Sequence, residues 1–453
     1  MSDRPIHFVG IAGAGMRALA ELLARRGLTV SGCDANPGKV NDLETLGIHV
    51  IKGHSPDHVE GVRELIVTSA MNRSHPEIVR AKELGIPVTR RAEALARAVE
   101  HGKVVGVAGT HGKTTTTVMT TAALSAAGAR PTGIAGGRVG EWNGNLRYEG
   151  DDLFVVEADE YDRSFLTLSP TVAVVTNIEA DHLDIYKDLD DIRSSFAHFV
   201  GSAAAIVLCD DDPGARSLDV PPSAEVIRYG LVSADARLVA RNVRADRQHS
   251  HFRVEYDGDV LGDVSLRVPG NHNIQNALGA IGVGLSLGLE LDAMRPGLEQ
   301  FGGVDRRFQL LCEVRGVTII DDYAHHPTEI VATLQAARVS YPGRRIIIAF
   351  QPHLFSRTRD FAQEFGSALA GADFVFLADI YPAREQPIEG VTSDLIAAVL
   401  RKAGRPVAWQ GERSNLAEAL CDFVEDGDVV LTIGAGDITK TGQELKDALE
   451  ANR

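Results

Sequence analysis

The stretch VVGVAGTHGKTTTTVM, residues 104–119, joins an apolar run to two flexible glycines, a lysine and consecutive threonines. Read as strand, turn and helix start, it makes Gly109, Thr110, His111, Gly112, Lys113, Thr114 and Thr115 a cradle of backbone N–H groups and positive charge for an anion. The pattern departs from the common phosphate loop. The position that usually carries the first glycine is Val107, with Gly106 and Gly109 near it. The chemistry on offer is nucleoside triphosphate binding: Lys113 can neutralise a β- or γ-phosphate, and Thr114 stands where a hydroxyl would ligate Mg2+. A polar helix start capped by threonine is the plainer use of the same residues.

Further along, VVEADEYDRSF sets Glu157 and Asp159 at the end of an apolar run, and VVTNIEADHLDIY sets Asn177, Asp181 and His182 at the end of another. Ligands of open α/β sheets gather at the carboxyl edges of strands, so these groups are expected to converge on the loop. Thr114, Glu157 and His182 form a candidate Mg2+ set, with the imidazole an unusual member and a surface-loop histidine its alternative. A second glycine cluster, VGIAGAGM, carries Gly10, Ala12 and Gly15 at the fingerprint positions, with an additional Gly13, and Asp34 ends the next strand. It suits a diphosphate-binding turn and a plain βα turn equally. Near the other end stand His325, His326, His353 and Arg357: a neutral imidazole can take or orient a proton, and an arginine can fork onto a carboxylate. Two histidines before Pro327 also suit the first turn of a helix.

The elements that must position these groups follow from periodicity. Residues 5–99 alternate apolar runs (IHFVGI, LTVSGCD, ELIVTSA) with helical patterns (MRALAELLARRG, HPEIVRAKELG), which implies a parallel sheet built from βαβ units. A second section starts at the phosphate loop and ends in polar alternating strands around residues 237–268, followed by helices from Asn271 to about Gln300. A third, from near Leu310, has VTIIDDYAHHP, RRIIIAFQPH, DFVFLADI and DVVLTIGAG as strands between helices. The expected domains are 1–99, 100–309 and 310–453.

Composition narrows the classes. Among 453 residues, 44% are hydrophobic and 24% charged, as in globular proteins, and the formal charge of −16 argues against nucleic acid as a partner. No apolar stretch reaches membrane-spanning length and no basic leader opens the chain, so neither a signal peptide nor membrane insertion is expected. Cys33, Cys209, Cys312 and Cys421 are widely separated, form no metal-like pair and fit a reducing cytoplasm. A nicotinamide-dependent dehydrogenase would leave the phosphate loop without a task. A non-catalytic nucleotide switch would not need the histidines and arginines of the last section.

GIAGAGM, GTHGKTTTT, EADEYD, NIEADHLD, GNHNIQNALGA, FGGVDRRFQ, DDYAHHPTEI and FQPHLFSRTRD resemble, in order and spacing, the motifs of the bacterial Mur ligases, over nearly the whole chain. The resemblance implies an α/β protein of three domains: a Rossmann-like N-terminal domain for a UDP-sugar, a central P-loop ATPase domain with a mixed sheet, and a Rossmann-like C-terminal domain for an amino acid. The implied reaction is ATP-dependent ligation of L-alanine to UDP-N-acetylmuramate through an acyl phosphate, with Mg2+, in a cytoplasmic monomer or weak homodimer. The alternative substrate within the family is a recycled tripeptide, whose ligases share DDYAHHPT but depart at FQPHLFSRT. By motif position, Gly13, Ala14, Gly15, Met16, Asp34, Ser69 and Ala70 would hold the UDP-sugar. Asn273 and Asn276 would contact adenine, Arg307 phosphate and Asp322 ribose, with His272 and Arg306 adjacent to share these roles. Tyr323, His325, His326, His353 and Arg357 would line the amino-acid end, and Lys113, Glu157, His182, His325 and Arg357 would be catalytic. One departure is expected to matter: the carbamoylated lysine of several relatives has Phe196 at its place, and Lys187 is too close to DHLDIY to replace it.

Overall fold

The computed structural model describes residues 4–451 apart from 39, 69, 70, 184, 247 and 406. Ser69 and Ala70, expected at the sugar nucleotide, therefore lie outside the described residues. Three sheets carry the chain, as the α/β expectation requires. The first has five parallel strands, ordered His49–Lys52, Val30–Asp34, Ile6–Val9, Glu64–Val67 and Val88–Arg90. Its strand order reverses at Ile6–Val9, which opens a crevice at the carboxyl end beside the glycine turn. The buried face of the following helix, Ala14–Arg25, is set by Met16, Leu19, Leu22 and Leu23 at helical spacing.

The second sheet has ten strands, with Lys103–Ala108 paired in parallel to Val172–Val175 on one side and Leu153–Glu157 on the other. Thr132–Val139 continues it in parallel and Gly144–Arg147 ends it antiparallel, so this sheet is mixed. Those last two strands are rich in glycine and polar residues, and their propensity gives little sign of them. The third sheet has six strands, parallel except for its edge pair Gln309–Val314 and Val317–Asp322. Val317–Asp322, Ile346–Phe350 and Val429–Ile433 are buried along their whole length, as central parallel strands covered on both faces must be.

Two compact units result. One comprises Met1–Asn242, Phe252–Ser265 and Ile274–Phe301, and the other Val243–His251, Leu266–Asn273 and Gly302–Arg453. Among the described residues no helix is long and apolar enough to cross a membrane.

Candidate active site

In the first unit the chain leaves Ala108 through Gly109, at φ +142°, and reaches the helix Lys113–Ala126 through Gly112, at φ +80°. Neither position accepts a side chain. A Cβ at Gly109 would strike Thr176 Oγ1, and one at Gly112 would lie 2.7 Å from Asn276 Oδ1. Asn177 clamps the turn at His111, accepting its N–H at 2.7 Å and donating to its carbonyl at 3.2 Å. Thr176 Oγ1 donates to the same carbonyl at 2.6 Å, and Thr110 Oγ1 accepts the Glu179 N–H at 2.9 Å. Asn276 is drawn in from the helix Asn271–Ser286, its Oδ1 accepting from Thr116 Oγ1 at 3.1 Å. Thr115 is buried beneath the helix start. These hydrogen bonds fix the loop's course, and the first N–H groups of the helix that follows have no intrahelical acceptor and suit an anion.

Lys113 folds back across this loop. Its Nζ donates to the carbonyls of Gly109 at 2.7 Å and Thr110 at 3.1 Å and stands 2.8 Å from Glu160 Oε2. Burial opposes the charge, but the carboxylates of Glu160, Asp159 and Glu157 outweigh it and hold the ammonium above its usual range. Glu160 is 4% exposed, and burial pushes its carboxyl up to about 7 against the pull of Lys113. Thr114 Oγ1 donates to Glu157 Oε1 at 2.9 Å, and the other carboxylate oxygen takes the Gly136 N–H at 2.5 Å. Burial also raises Glu157, opposed by that N–H and by Lys113. His182 sits on left-handed backbone at φ +53°, with Nε2 3.7 Å from Asp181 Oδ2 and 3.8 Å from Glu160 Oε1. Lys113, Thr114, Glu157 and His182 therefore meet at one sheet edge. Oxygen donors from Thr114 and Glu157 fit a hard divalent cation, and the buried carboxylates of this edge carry the charge such an ion would neutralise.

The glycine turn of the first sheet is held by the strand beside it. Gly10 N–H donates to the Cys33 carbonyl at 2.8 Å, while Asp34 accepts the N–H groups of Ala12 at 3.1 Å and Asn36 at 2.9 Å. Asp34 thus orders the turn. Gly13 caps the helix that begins at Ala14, leaving the N–H groups of Ala14, Gly15 and Met16 at its open end. The Met16 side chain is buried, so the main chain is what it can present. A Cβ on Gly15 would lie 3.1 Å from Arg91 Nη1, which sets a guanidinium over this helix terminus.

The second unit gathers the remaining expected residues. Asp322 is buried and accepts the N–H groups of Phe308 at 2.8 Å and Ala324 at 2.7 Å. Burial pushes its carboxyl up to about 6, against the nearby Arg307. Arg307 lies 5.1 Å above the Tyr323 ring with Nη1 3.3 Å from Glu329 Oε1, and its side chain remains 30% exposed. Arg306 is committed otherwise, to Asp321 Oδ2 at 3.1 Å and the Gly434 carbonyl at 2.6 Å. Asn273 Nδ2 donates to the Pro269 carbonyl at 2.7 Å. Burial, with Arg307 adding to it, pushes the His272 imidazole down to about 4.

His325 and His326 divide their tasks. His326 caps the helix Pro327–Ser340 in a reciprocal box with Glu329 and packs on Phe361 at 5.2 Å between ring centroids. His325 accepts a T-shaped contact with His353 at 6.1 Å and keeps Nδ1 3.1 Å from the Tyr323 carbonyl. His353 stacks on Tyr381 at 5.8 Å. Arg357 is buried on the short helix Phe355–Asp360.

Sequence reasoning missed two groups. Glu160 was visible as the third acid of EADEYD, but its pairing with Lys113 was not. Arg91 opens a helix far along the chain from the glycine turn, and no local pattern ties them.

Three family models match in order: "Mur ligase family, catalytic domain" over residues 5–103, "Mur ligase middle domain" over 107–284 and "Mur ligase, glutamate ligase domain" over 306–436. The chain is 41% identical over 449 residues to the UDP-N-acetylmuramate--L-alanine ligase of Geotalea daltonii, covering 98% of each. It is 42% identical to the protein of the same name from Geotalea uraniireducens, covering 99% of this chain and 98% of that one. The crystal structure of the Thermotoga maritima UDP-N-acetylmuramate-alanine ligase superposes with a TM-score of 0.83 at 30% identity, over 99% of this chain and all of the other.

Proposed function

This chain belongs to the Mur ligase family, and from that premise we propose that it joins L-alanine to the lactyl carboxylate of UDP-N-acetylmuramate with cleavage of ATP. The observation that carries the reading is a phosphate loop whose lysine, hydroxyl and carboxylate are gathered within hydrogen-bond reach, in a chain alike end to end to ligases of that name. A carboxylate is a poor acyl donor at neutral pH. The lactyl carboxylate attacks the γ-phosphorus, ADP leaves, and an acyl phosphate results. The alanine amine then attacks its carbonyl, and phosphate departs from the tetrahedral intermediate.

Every species on this path is anionic, so the protein's task is neutralisation and alignment. Lys113 and the loop N–H groups of Gly109 to Thr115 hold the β- and γ-phosphates, releasing Glu160 as the counter-charge of Lys113. Thr114, Glu157 and His182 would hold Mg2+, which supplies further neutralisation of the transferring phosphoryl oxygens. Gly13 to Met16 and Arg91 take the diphosphate of the sugar nucleotide, with Asp34 bracing their turn. By motif position, Asn273, Asn276, Arg307 and Asp322 are assigned to ATP. Tyr323, His325, His353 and Arg357 are assigned to alanine: Arg357 forks onto its carboxylate, and the imidazole of His325 orients or relieves its ammonium. His326 supports them from the helix cap. The substrates assign the reaction to the cytoplasm.

The reading is tested by phosphate release with purified protein, MgATP, UDP-N-acetylmuramate and one amino acid at a time. Release that requires all three substrates, with L-alanine ahead of glycine and L-serine, is expected. Phosphate release that does not respond to UDP-N-acetylmuramate would remove the reading.

A further inference from the structure

One face of the first sheet holds a second cluster of chemistry-bearing residues, reached through the strand end that shapes the glycine turn. Glu77, on the helix Pro76–Glu83, is fully buried, yet among the described residues the basic side chains that meet it are all histidines. His58 Nδ1 lies 2.7 Å from its Oε1, while His54 and His75 stand 3.6 Å and 3.7 Å from its Oε2. The thiol of Cys33 is 3.1 Å and 3.3 Å from the two carboxylate oxygens and 3.3 Å from His54 Nδ1. His7, 1% exposed, completes the set: its Nδ1 pairs with Ser31 Oγ at 2.9 Å, and its buried Nε2 has no hydrogen-bond partner among the described residues. One donor atom from each of His7, Cys33, His58 and Glu77 falls within 4.8 Å of the other three.

We propose that Cys33, Glu77, His58 and His7 bind a divalent transition-metal ion, zinc by the chemistry of the donors, with His54 and His75 around them. Tetrahedral zinc takes sulfur at about 2.3 Å and nitrogen or oxygen at about 2.0–2.2 Å, so its ligands lie about 3.3–3.8 Å apart; the donors here stand 2.7 Å and 3.1 Å from Glu77 and all within 4.8 Å of one another, so small side-chain shifts reach that geometry. One thiolate, two imidazoles and one carboxylate satisfy its preference for nitrogen and sulfur and leave no position open to solvent chemistry. Mg2+ would not choose sulfur. Burial pushes the His7 imidazole down to about 4, which keeps it in the neutral form a metal needs. Burial and Glu77 hold the Cys33 thiol protonated, so binding releases its proton to solvent as the Cys33–metal bond forms. The carbonyl of Cys33 also accepts the N–H groups of Gly10 and Ile11, so an ion held by its sulfur braces the strand end that shapes the glycine turn.

The test uses the full chain, stripped with a chelator and titrated with Co2+ in saturating Mg2+, alongside competition between Zn2+ and a chromophoric chelator. One equivalent is expected, with a near-ultraviolet thiolate-to-cobalt charge-transfer band and a higher melting temperature on zinc loading. Cys33→Ser should abolish the band, and His58→Asn, at a partly exposed position, should weaken binding by about a hundredfold while far-ultraviolet circular dichroism stays native. A His182→Ala control should keep the band and the stoichiometry. Co2+ binding without the band, or an affinity unchanged in His58→Asn, would overturn the proposal. So would a bound equivalent lost in His182→Ala.

Discussion

At pH 8, above the value of about 7 to which burial pushes its carboxyl, replacing Glu160 with glutamine removes one negative charge from beside Lys113 at nearly constant volume. In the ligand-free protein Lys113 then keeps the carbonyls of Gly109 and Thr110 at 2.7 Å and 3.1 Å but loses its carboxylate at 2.8 Å. Breaking a buried ion pair from one side destabilises by about 3–5 kcal/mol, because the remaining charge stays uncompensated. The two carbonyls and a glutamine oxygen retain part of that, which sets the expected loss at about 2–3 kcal/mol. ATP phosphates supply the missing charge, so binding should recover most of the loss. At equal free MgATP the stabilisation by ligand should exceed the wild-type value by that same 2–3 kcal/mol, about a 30- to 150-fold tighter dissociation constant. Urea unfolding monitored with and without MgATP, beside direct titration of nucleotide, measures both quantities. Equal urea midpoints in the ligand-free proteins, or weaker nucleotide binding in the variant, would refute the pairing of Glu160 and Lys113 as a charge that phosphate replaces.

Lys113→Ala should instead lower kcat by about three orders of magnitude, as removal of a charge-assisted contact to the transferring group does, while UDP-N-acetylmuramate binding measured by calorimetry stays within threefold. Lys187→Ala should leave turnover nearly intact and added bicarbonate should do nothing, since the Lys187 side chain is 86% exposed and Phe196 is buried in the core. His182→Ala should be severely impaired at low Mg2+ and recover partly at high Mg2+, read from a Mg2+ titration of initial rates. Asp322, with its carboxyl at about 6, accepts from a ribose hydroxyl more strongly when ionised, so KM for ATP should rise by up to about tenfold between pH 7 and pH 5 and flatten in Asp322→Asn. Its effect on stability has the opposite sign: the raised value favours the folded state at low pH, and that contribution is lost as pH rises from about 4 through 6.

What the sequence discloses is what short-range physics encodes. The phosphate loop, the glycine turn and the acids and amides at strand ends each occupy a few consecutive residues, and strand-to-helix transitions mark them. The alternation of Val172–Val175 and Val429–Ile433 with helices gave away buried parallel strands for the same reason. Thr132–Val139 was not legible, because TGIAGGRV has the composition of a loop and becomes a strand through its parallel pairing with Leu153–Glu157. That strand matters to the site: its Gly136 N–H holds Glu157, and a Cβ there would lie 2.7 Å from the carboxylate. Arg91 over Gly15 and the gathering of His7, Cys33, His58 and Glu77 escape for a different reason. Spacing along the chain carries no information about which strands lie side by side, and these residues meet only once the five-stranded sheet has closed.

The central claim is the identity of the acyl acceptor, and the most direct measurement is the mass of the product formed from MgATP and UDP-N-acetylmuramate when L-alanine and the tripeptide compete at equal concentration. The account predicts a UDP-N-acetylmuramate product heavier by one alanine residue, with one phosphate released per product and little tripeptide conjugate. A predominant tripeptide conjugate would contradict it, as would phosphate release that proceeds equally without any amine.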